Sequence, residues 1–468
     1  MHRCALLLPL VSLLFSACAP TVVPIASVPV TTPTSQFTPS PVPSPVPTQI
    51  PGAKLGVGPD VLRGMSITVW HGLDGQSAGL FAQMAAEFTL TNSWGIKVAV
   101  VPQQNLALLA DAVTVALRTP EHPDLVLALP EHAMAWDAQG VVVDLSPYVA
   151  NPDSGFSKAE LADIPAAFWN QDELDGKRLG VPAVRTARFL FYNVSFAKQL
   201  GFSAPPQTAG EFRQQACAAN ASWKTDKDQT NDGYGGWVLD SATTDANAPW
   251  TAYAWLRAMG GEVYADGKFA FSTSQNQSAL AFLARLRADG CAWLSSSPAN
   301  YDALPSHKAL FAAGSLDELG EQRAAFAGSS DQWMPIAFPG SNPTIIPYGP
   351  DYVILKSSAP RQLAAWLFVR WMLLPENQAR WARETGLFPL RTSAVGLLPN
   401  IRNADPQWAA GVDLLAHADL YPQAAGWRMA RVVLGDGFFS LLQPLAPTAN
   451  DATQTLDQID STVKELAP

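Results

Sequence analysis

A chain of 468 residues with 48% hydrophobic and 15% charged residues can bury more than one core, and it is neither disordered nor bilayer-filling in composition. Its formal net charge of −10, with no basic cluster, argues against nucleic acid as a partner.

The N-terminus reads as a targeting segment. Arg3 supplies a short positive region, and the apolar run Cys4 to Ala17, about 14 residues, is too short to span a bilayer. It ends in Leu14-Phe15-Ser16-Ala17-Cys18, small residues before a cysteine that resemble a bacterial lipobox, with residues 1–17 as signal and Cys18 as the acylated residue. An ordinary secretory signal cut near Ala17 or Ala19 is the alternative. Residues 18–61 are rich in Pro, Thr, Val and Ser, with an alternating proline run from Pro39 to Pro47. Such a stretch buries no core, favours polyproline II and, at about 3.1 Å per residue, reaches on the order of 100 Å as a tether.

The folded part opens with a strand at Ser66–Gly72 that runs into a loop. The helix Ala78–Phe88, strand Ile96–Val101, helix Leu106–Arg118 and strand Pro123–Ala128 follow. This alternation predicts a parallel sheet covered by helices, with ligand-binding loops at the strand C-terminal ends, where Trp70, His71, Glu131 and His132 fall. The turn Asp175-Gly176 precedes a short apolar strand, Leu179–Pro182, then a strand Ala187–Asn193 and a helix from about Ser195. Beyond it the chain becomes more helical: Val238–Gly260 carries Trp250, and a helix spans Ser278–Gly290. A strand then covers Tyr348–Ile354, with helices at Ala364–Leu374 and Ala424–Leu434.

Three separated stretches carry a family resemblance. Asp175-Gly176 through Pro182, Tyr192-Asn193, Pro205-Pro206 and Thr208 to Glu211-Phe212 form the first. Trp70-His71 at the first strand, Asp124 at the third, and Gly140 to Tyr148 form the second. Met334-Pro335 to Pro339, then Pro375-Glu376-Asn377-Gln378 and Thr385-Gly386 to Pro389, form the third. Together they resemble the carbohydrate-type extracellular solute-binding proteins of ABC importers, over residues 66 to about 440. The resemblance implies a bilobal α/β fold of the periplasmic-binding-protein type II, two α/β lobes with a hinge. One lobe would hold 62–186 plus 338–390, the other 187–337 plus 391–468, with crossings near Arg185–Arg188, Pro335–Pro339 and Gly386–Arg391.

The implied function is capture of a sugar or oligosaccharide and delivery to a permease, from a lipid-anchored position outside the cytoplasm, by a monomer without cofactor or metal. Positions carried over from the family are Trp70, His71, Glu131, His132, Trp250, Asp351 and Trp427. Sugars present an apolar ring face to aromatic rings and hydroxyls to polar side chains. For the tryptophans the competing role is core packing, and for the polar residues a cap or surface contact. A polyamine, glycerol phosphate or other solute in the same fold, or a ligand-sensing lipoprotein, are the other readings.

Cys217 and Cys291, the two cysteines of the mature domain, are expected to form a disulfide in an extracytoplasmic compartment. Asp226 to Gly233 looks like a calcium loop, but Leu239 stands where the bidentate Glu is required. No GxSxG, HExxH, Walker A or dinucleotide motif occurs, and Ser195 to Lys198 fits SxxK only by two residues. An enzyme is therefore not expected. A secreted glycosidase, which needs two carboxylates facing one cleft, is the enzyme alternative that sequence leaves open.

Overall fold

A computed structural model describes residues 55–119, 121–225, 227–239, 247–297 and 300–466. The expected signal, Cys18, the tether as far as residue 54, and Asp226 lie outside the described residues. The folded part begins earlier than residue 62, because Val57 and Leu62 are both buried in the first core.

The first strands, β1 (Ser66–His71), β2 (Lys97–Pro102) and β3 (Leu125–Ala128), pair in parallel. Between them run the helices Gly75–Thr91 and Leu106–Ala116. The first of these buries Leu80, Phe81, Met84, Ala85 and Phe88, a helical stripe against the sheet. Asn105 caps the second by accepting from the Leu108 amide. A hairpin of β4 (Glu173–Leu174) and β5 (Lys177–Arg178) turns at Asp175-Gly176, both with positive φ. After it come β6 (Val181–Pro182) and β7 (Thr186–Asn193).

Every residue of β7 is buried, as the central strand of a second sheet requires. Along the remaining chain lie β8 (Trp237–Leu239), the hairpin β9 (Tyr264–Ala265) and β10 (Lys268–Phe269), β11 (Ala292–Leu294), β12 (Phe311–Gly314), β13 (Trp333–Ile336), β14 (Ile346–Tyr348) and β15 (Asp351–Ile354). The sheets run β2-β1-β3-β15-β6 and β11-β8-β12-β7-β13, with β14 also paired to β7. Each sheet organises a lobe, which makes the bilobal α/β fold that the resemblance implies.

The single strand expected at Tyr348–Ile354 is two strands on different sheets. Gly349, with φ of 147°, breaks it, and a Cβ there would meet the Val184 carbonyl oxygen at 2.2 Å. Passage between the sheets therefore occurs at Ala183–Arg185 and at Gly349-Pro350. Pro335–Phe338 belongs to the second lobe: β13 pairs with β7, and Phe338 is buried in the second core. The stretch Gly386–Arg391 lies against the first passage, where the Phe388 amide donates to the Arg185 carbonyl at 3.1 Å. Cys217 and Cys291 are disulfide-bonded, joining the helix Ala209–Trp223 to the residue before β11. No helix among the described residues is long and apolar enough to cross a membrane.

Candidate functional site

The junction of the lobes is built from both sides. The helix Pro130–Asp137 starts directly after β3, with Pro130 in its first turn, so Glu131 and His132 are set at a strand end in the first lobe. From the second lobe come the helix Ala248–Ala258, which carries Trp250, and the helix Trp427–Leu442. Trp250 stacks on Tyr348 with ring centroids 4.7 Å apart and planes at 11°, and meets Tyr421 edge-on at 5.0 Å. The Arg431 guanidinium lies over the Trp250 ring, 4.6 Å from its centroid, and donates to Glu131 Oε1 at 3.2 Å.

Charge is dense here. Arg185, on the first passage between sheets, donates to the carbonyls of Val184, Gly349 and Pro350, to Asp172 at 3.4 Å and to Asp351. Burial and the neighbouring Asp351 charge hold the Asp172 carboxyl well above the ordinary carboxylate range. Burial also raises Asp351, while Arg185 and a hydrogen bond from Asp172 pull it back. Burial thus pushes both carboxyls up, beside the one Arg185 guanidinium that bonds them. Burial acts against the Arg185 charge, but the two carboxyls outweigh it and raise its pKa. On the side of the second lobe, Arg188 donates to Thr251 at 2.8 Å and Glu318 at 2.9 Å, and Thr186 donates to Asp317 at 2.6 Å. Those contacts explain the acidic pair Asp317-Glu318 after β12.

Several buried polar atoms around this junction have no hydrogen-bond partner among the described residues: Glu131 Oε2, His132 Nδ1, Tyr421 Oη, Trp427 Nε1 and Arg431 Nε. Each such atom costs roughly 1–3 kcal/mol in a dry interior. They include both donors and acceptors. Burial lowers the His132 pKa to about 4, the strongest influence among several that include Glu131, Arg428 and Arg431, so its ring is neutral at pH 7.

The seven sequence-chosen residues separate. Glu131, His132, Trp250 and Asp351 converge at the junction. Trp427 is fully buried in the second core, against Tyr253 as well as Trp250. His71 turns into the first core: its ring meets Phe81 edge-on at 5.2 Å and its Nδ1 accepts from the Leu73 amide, and burial lowers its pKa. Trp70 is half-buried and packs on the small cluster around Leu109 and Val126. Sequence reasoning missed Asp172, Arg185, Tyr348, Tyr421 and Arg431. The spacing of Trp427 and Arg431, four apart on one helix, was the signal available for Arg431.

In the acidic loop, the Asp228 carboxylate accepts from the Thr230 amide and hydroxyl, at 2.9 and 2.6 Å, an Asx turn that occupies one of its oxygens. An open surface groove of about 580 Å³ along Ser440, Asp451 and Gln458 lies between the two C-terminal helices, away from the junction.

Residues 83–414 match the family described as bacterial extracellular solute-binding protein. No curated protein matches the chain in sequence. Among solved structures, the sugar-binding protein MalE from Xanthomonas citri superposes with a TM-score of 0.73 at 21% identity, covering 86% of this chain and 98% of that one. The cyclic alpha-maltosyl-1,6-maltose binding protein from Arthrobacter globiformis gives 0.71 at 19%, over 85% and 98%. UgpB from Mycobacterium tuberculosis, in complex with glycerophosphocholine, gives 0.68 at 19%, over 86% and 98%. At these identities the likeness shows a shared fold.

Proposed function

Because the chain belongs to the bacterial extracellular solute-binding protein family, we propose that it captures a sugar or oligosaccharide and delivers it to the permease of an ABC importer. The observation that carries this reading is the platform of Trp250 on Tyr348, ringed by buried donors and acceptors from both lobes. A sugar ring offers an apolar face to such a platform, and its hydroxyls both donate and accept. Contacts from two lobes are complete only when the lobes are closed, so solute biases the population toward closure.

Charge pairing favours a neutral solute. Arg185, Arg188 and Arg431 are each bonded to a carboxylate, so these three form no cluster of spare cations for a phosphate. Asp351, Glu318 and Glu131 are the carboxylates those arginines bond, which disfavours a polyamine. Fold likeness alone does not make this choice, since the neighbours include one holding glycerophosphocholine. Glu131, His132, Trp250 and Asp351 are the solute contacts in this reading, with Tyr421 added to them.

The test is a thermal-shift screen of the protein against neutral sugars, polyamines and phosphate esters. A ligand at 100 times its Kd adds about 2.7 kcal/mol and raises the melting point by a few degrees. Shifts with sugars and no product formed support the reading, whereas shifts confined to charged solutes overturn the sugar assignment. We further propose that Cys18 carries a lipid anchor and residues 19–61 act as the tether. Incorporation of labelled palmitate that is lost in Cys18→Ser is the expected result, and labelling that persists in the variant would remove that assignment.

A further inference from the structure

We propose that Arg431 locks the lobes together in the absence of solute, by occupying the place on Trp250 and Glu131 that the solute takes. The proposal rests on the solute-binding reading but concerns the ligand-free protein.

Arg431 belongs to the helix Trp427–Leu442, which packs mainly on the helices Ala248–Ala258 and Ala449–Leu466 of the second lobe and also touches the helix Pro130–Asp137 of the first. Its guanidinium reaches across to the first lobe and bonds Glu131, a carboxylate with 1% of its side chain exposed. Tyr348 stacks on Trp250, and the guanidinium lies over the same indole, so little of the platform is left free. One turn earlier on the helix, Arg428 donates to Asp111 of the first lobe at 3.1 Å. Gln171 of the first lobe donates to the Tyr421 carbonyl at 3.2 Å, and Gln423 donates to the Asn170 carbonyl. The lobes are thus joined by the protein's own side chains through one continuous stretch, Tyr421–Arg431.

This arrangement sets a condition on the solute. Displacing Arg431 strips Glu131 of the only hydrogen bond that its carboxylate makes among the described residues, and an unpaired buried carboxylate is costly. A solute that opens the lock must therefore bring a hydrogen-bond donor to Glu131 and a flat apolar face to Trp250. A hydroxylated ring meets both demands. Because the lock competes with the solute, it lowers apparent affinity by the fraction of molecules it holds shut.

The experiment compares the ligand-free full chain with Arg431→Met and Arg428→Gln by small-angle X-ray scattering and amide hydrogen exchange. Methionine keeps an apolar stem on Trp250 and removes the ion pair. The expected result is a larger radius of gyration and at least tenfold faster exchange over residues 130–137 and 427–434 in Arg431→Met. Arg428→Gln should move the same way by less, and 1 M sodium chloride should do so in the wild type, while amides of the buried strand β7 stay protected. An unchanged radius and unchanged exchange in Arg431→Met would overturn the lock, as would a wild type already as extended as the variant. Since no solute is used, this outcome is separate from whether the solute is a sugar.

Discussion

Trp250 and Tyr348 stack ring on ring, and Tyr348 is the last residue before the Gly349-Pro350 passage between the sheets. The aromatic platform is therefore fixed to the hinge rather than carried on a loose loop. Replacing Trp250 by Ala should abolish solute binding and also cost about 3–5 kcal/mol of stability, because the ring is 3% exposed and packs against Tyr421 and Trp427 too. Trp250→Phe should keep most of the stability and lose affinity. Isothermal titration with the solute found in the thermal screen, beside urea unfolding, separates the two effects; wild-type affinity in Trp250→Phe and Trp250→Ala would remove the platform role.

Trp427 answers to a different rule. Its ring is fully buried among Tyr253, Tyr421 and Phe269, so Trp427→Ala should cost about 3–5 kcal/mol, with any loss of binding following from that. Trp427→Phe should restore both folding and affinity. A destabilised melt in Trp427→Ala with affinity recovered in Trp427→Phe is the expected pattern.

Much of the fold was legible because hydrophobic periodicity reports local structure directly. The stripe Leu80, Phe81, Met84, Phe88, in the helix expected at Ala78–Phe88, is an example. Glu131, His132, Trp250 and Asp351 were reachable because motif order placed them at strand and helix ends. Asp172 and Arg185 were not, since their meeting depends on a buried contact with Asp351, 166 residues beyond Arg185. His71 and Trp70 pose the difficulty of any strand: adjacent residues point to opposite faces, and pattern alone does not say which of the two faces the core. The break at Gly349 was hidden because Tyr348–Ile354 reads as one β-rich run.

The Asp172–Asp351 pair should leave a pH signature. Both folded pKa values lie above the ordinary 3.8, so the native state binds protons more tightly than the unfolded chain. The contribution is fully present below about pH 4 and is lost as pH rises through the folded value. Asp172→Asn keeps a donor for Asp351 and removes the titration, so it should gain on the wild type progressively from pH 4 upward. Asp144, Glu160 and Asp163, whose pKa values are lowered, act in the opposite sense in both proteins and cancel in the difference. Melting temperatures of the two proteins from pH 3 to 8 test this; a constant difference would mean that burial does not raise the Asp172 carboxyl.

The disulfide between Cys217 and Cys291 closes a loop across 74 residues of sequence separation within the second lobe. Cys217→Ser with Cys291→Ser should lower stability by about 2–4 kcal/mol, chiefly by freeing the unfolded chain. The bond links the helix Ala209–Trp223 to the residue before β11, elements that carry none of the candidate solute contacts, so affinity should be unchanged. Denaturant midpoints and titrations on the double variant check the two expectations separately.

Gly349 and Gly386 both adopt positive φ, and comparing them isolates the hinge. At Gly386, the left-handed cap of the helix Pro375–Thr385, an added Cβ meets nothing within 4 Å, so Gly386→Ala pays only the conformational preference, about 1 kcal/mol. At Gly349 the same Cβ runs into the Val184 carbonyl oxygen at 2.2 Å, in the strand passage opposite. Gly349→Ala must push the two passages apart, at a cost on the order of 1–3 kcal/mol, and the Arg185 bonds to the Gly349 and Pro350 carbonyls stretch with them. Its solute affinity should fall more than its stability, whereas Gly386→Ala should lose a little stability and no affinity. Equal effects of the two substitutions on binding would mean that the Gly349-Pro350 passage does not govern closure.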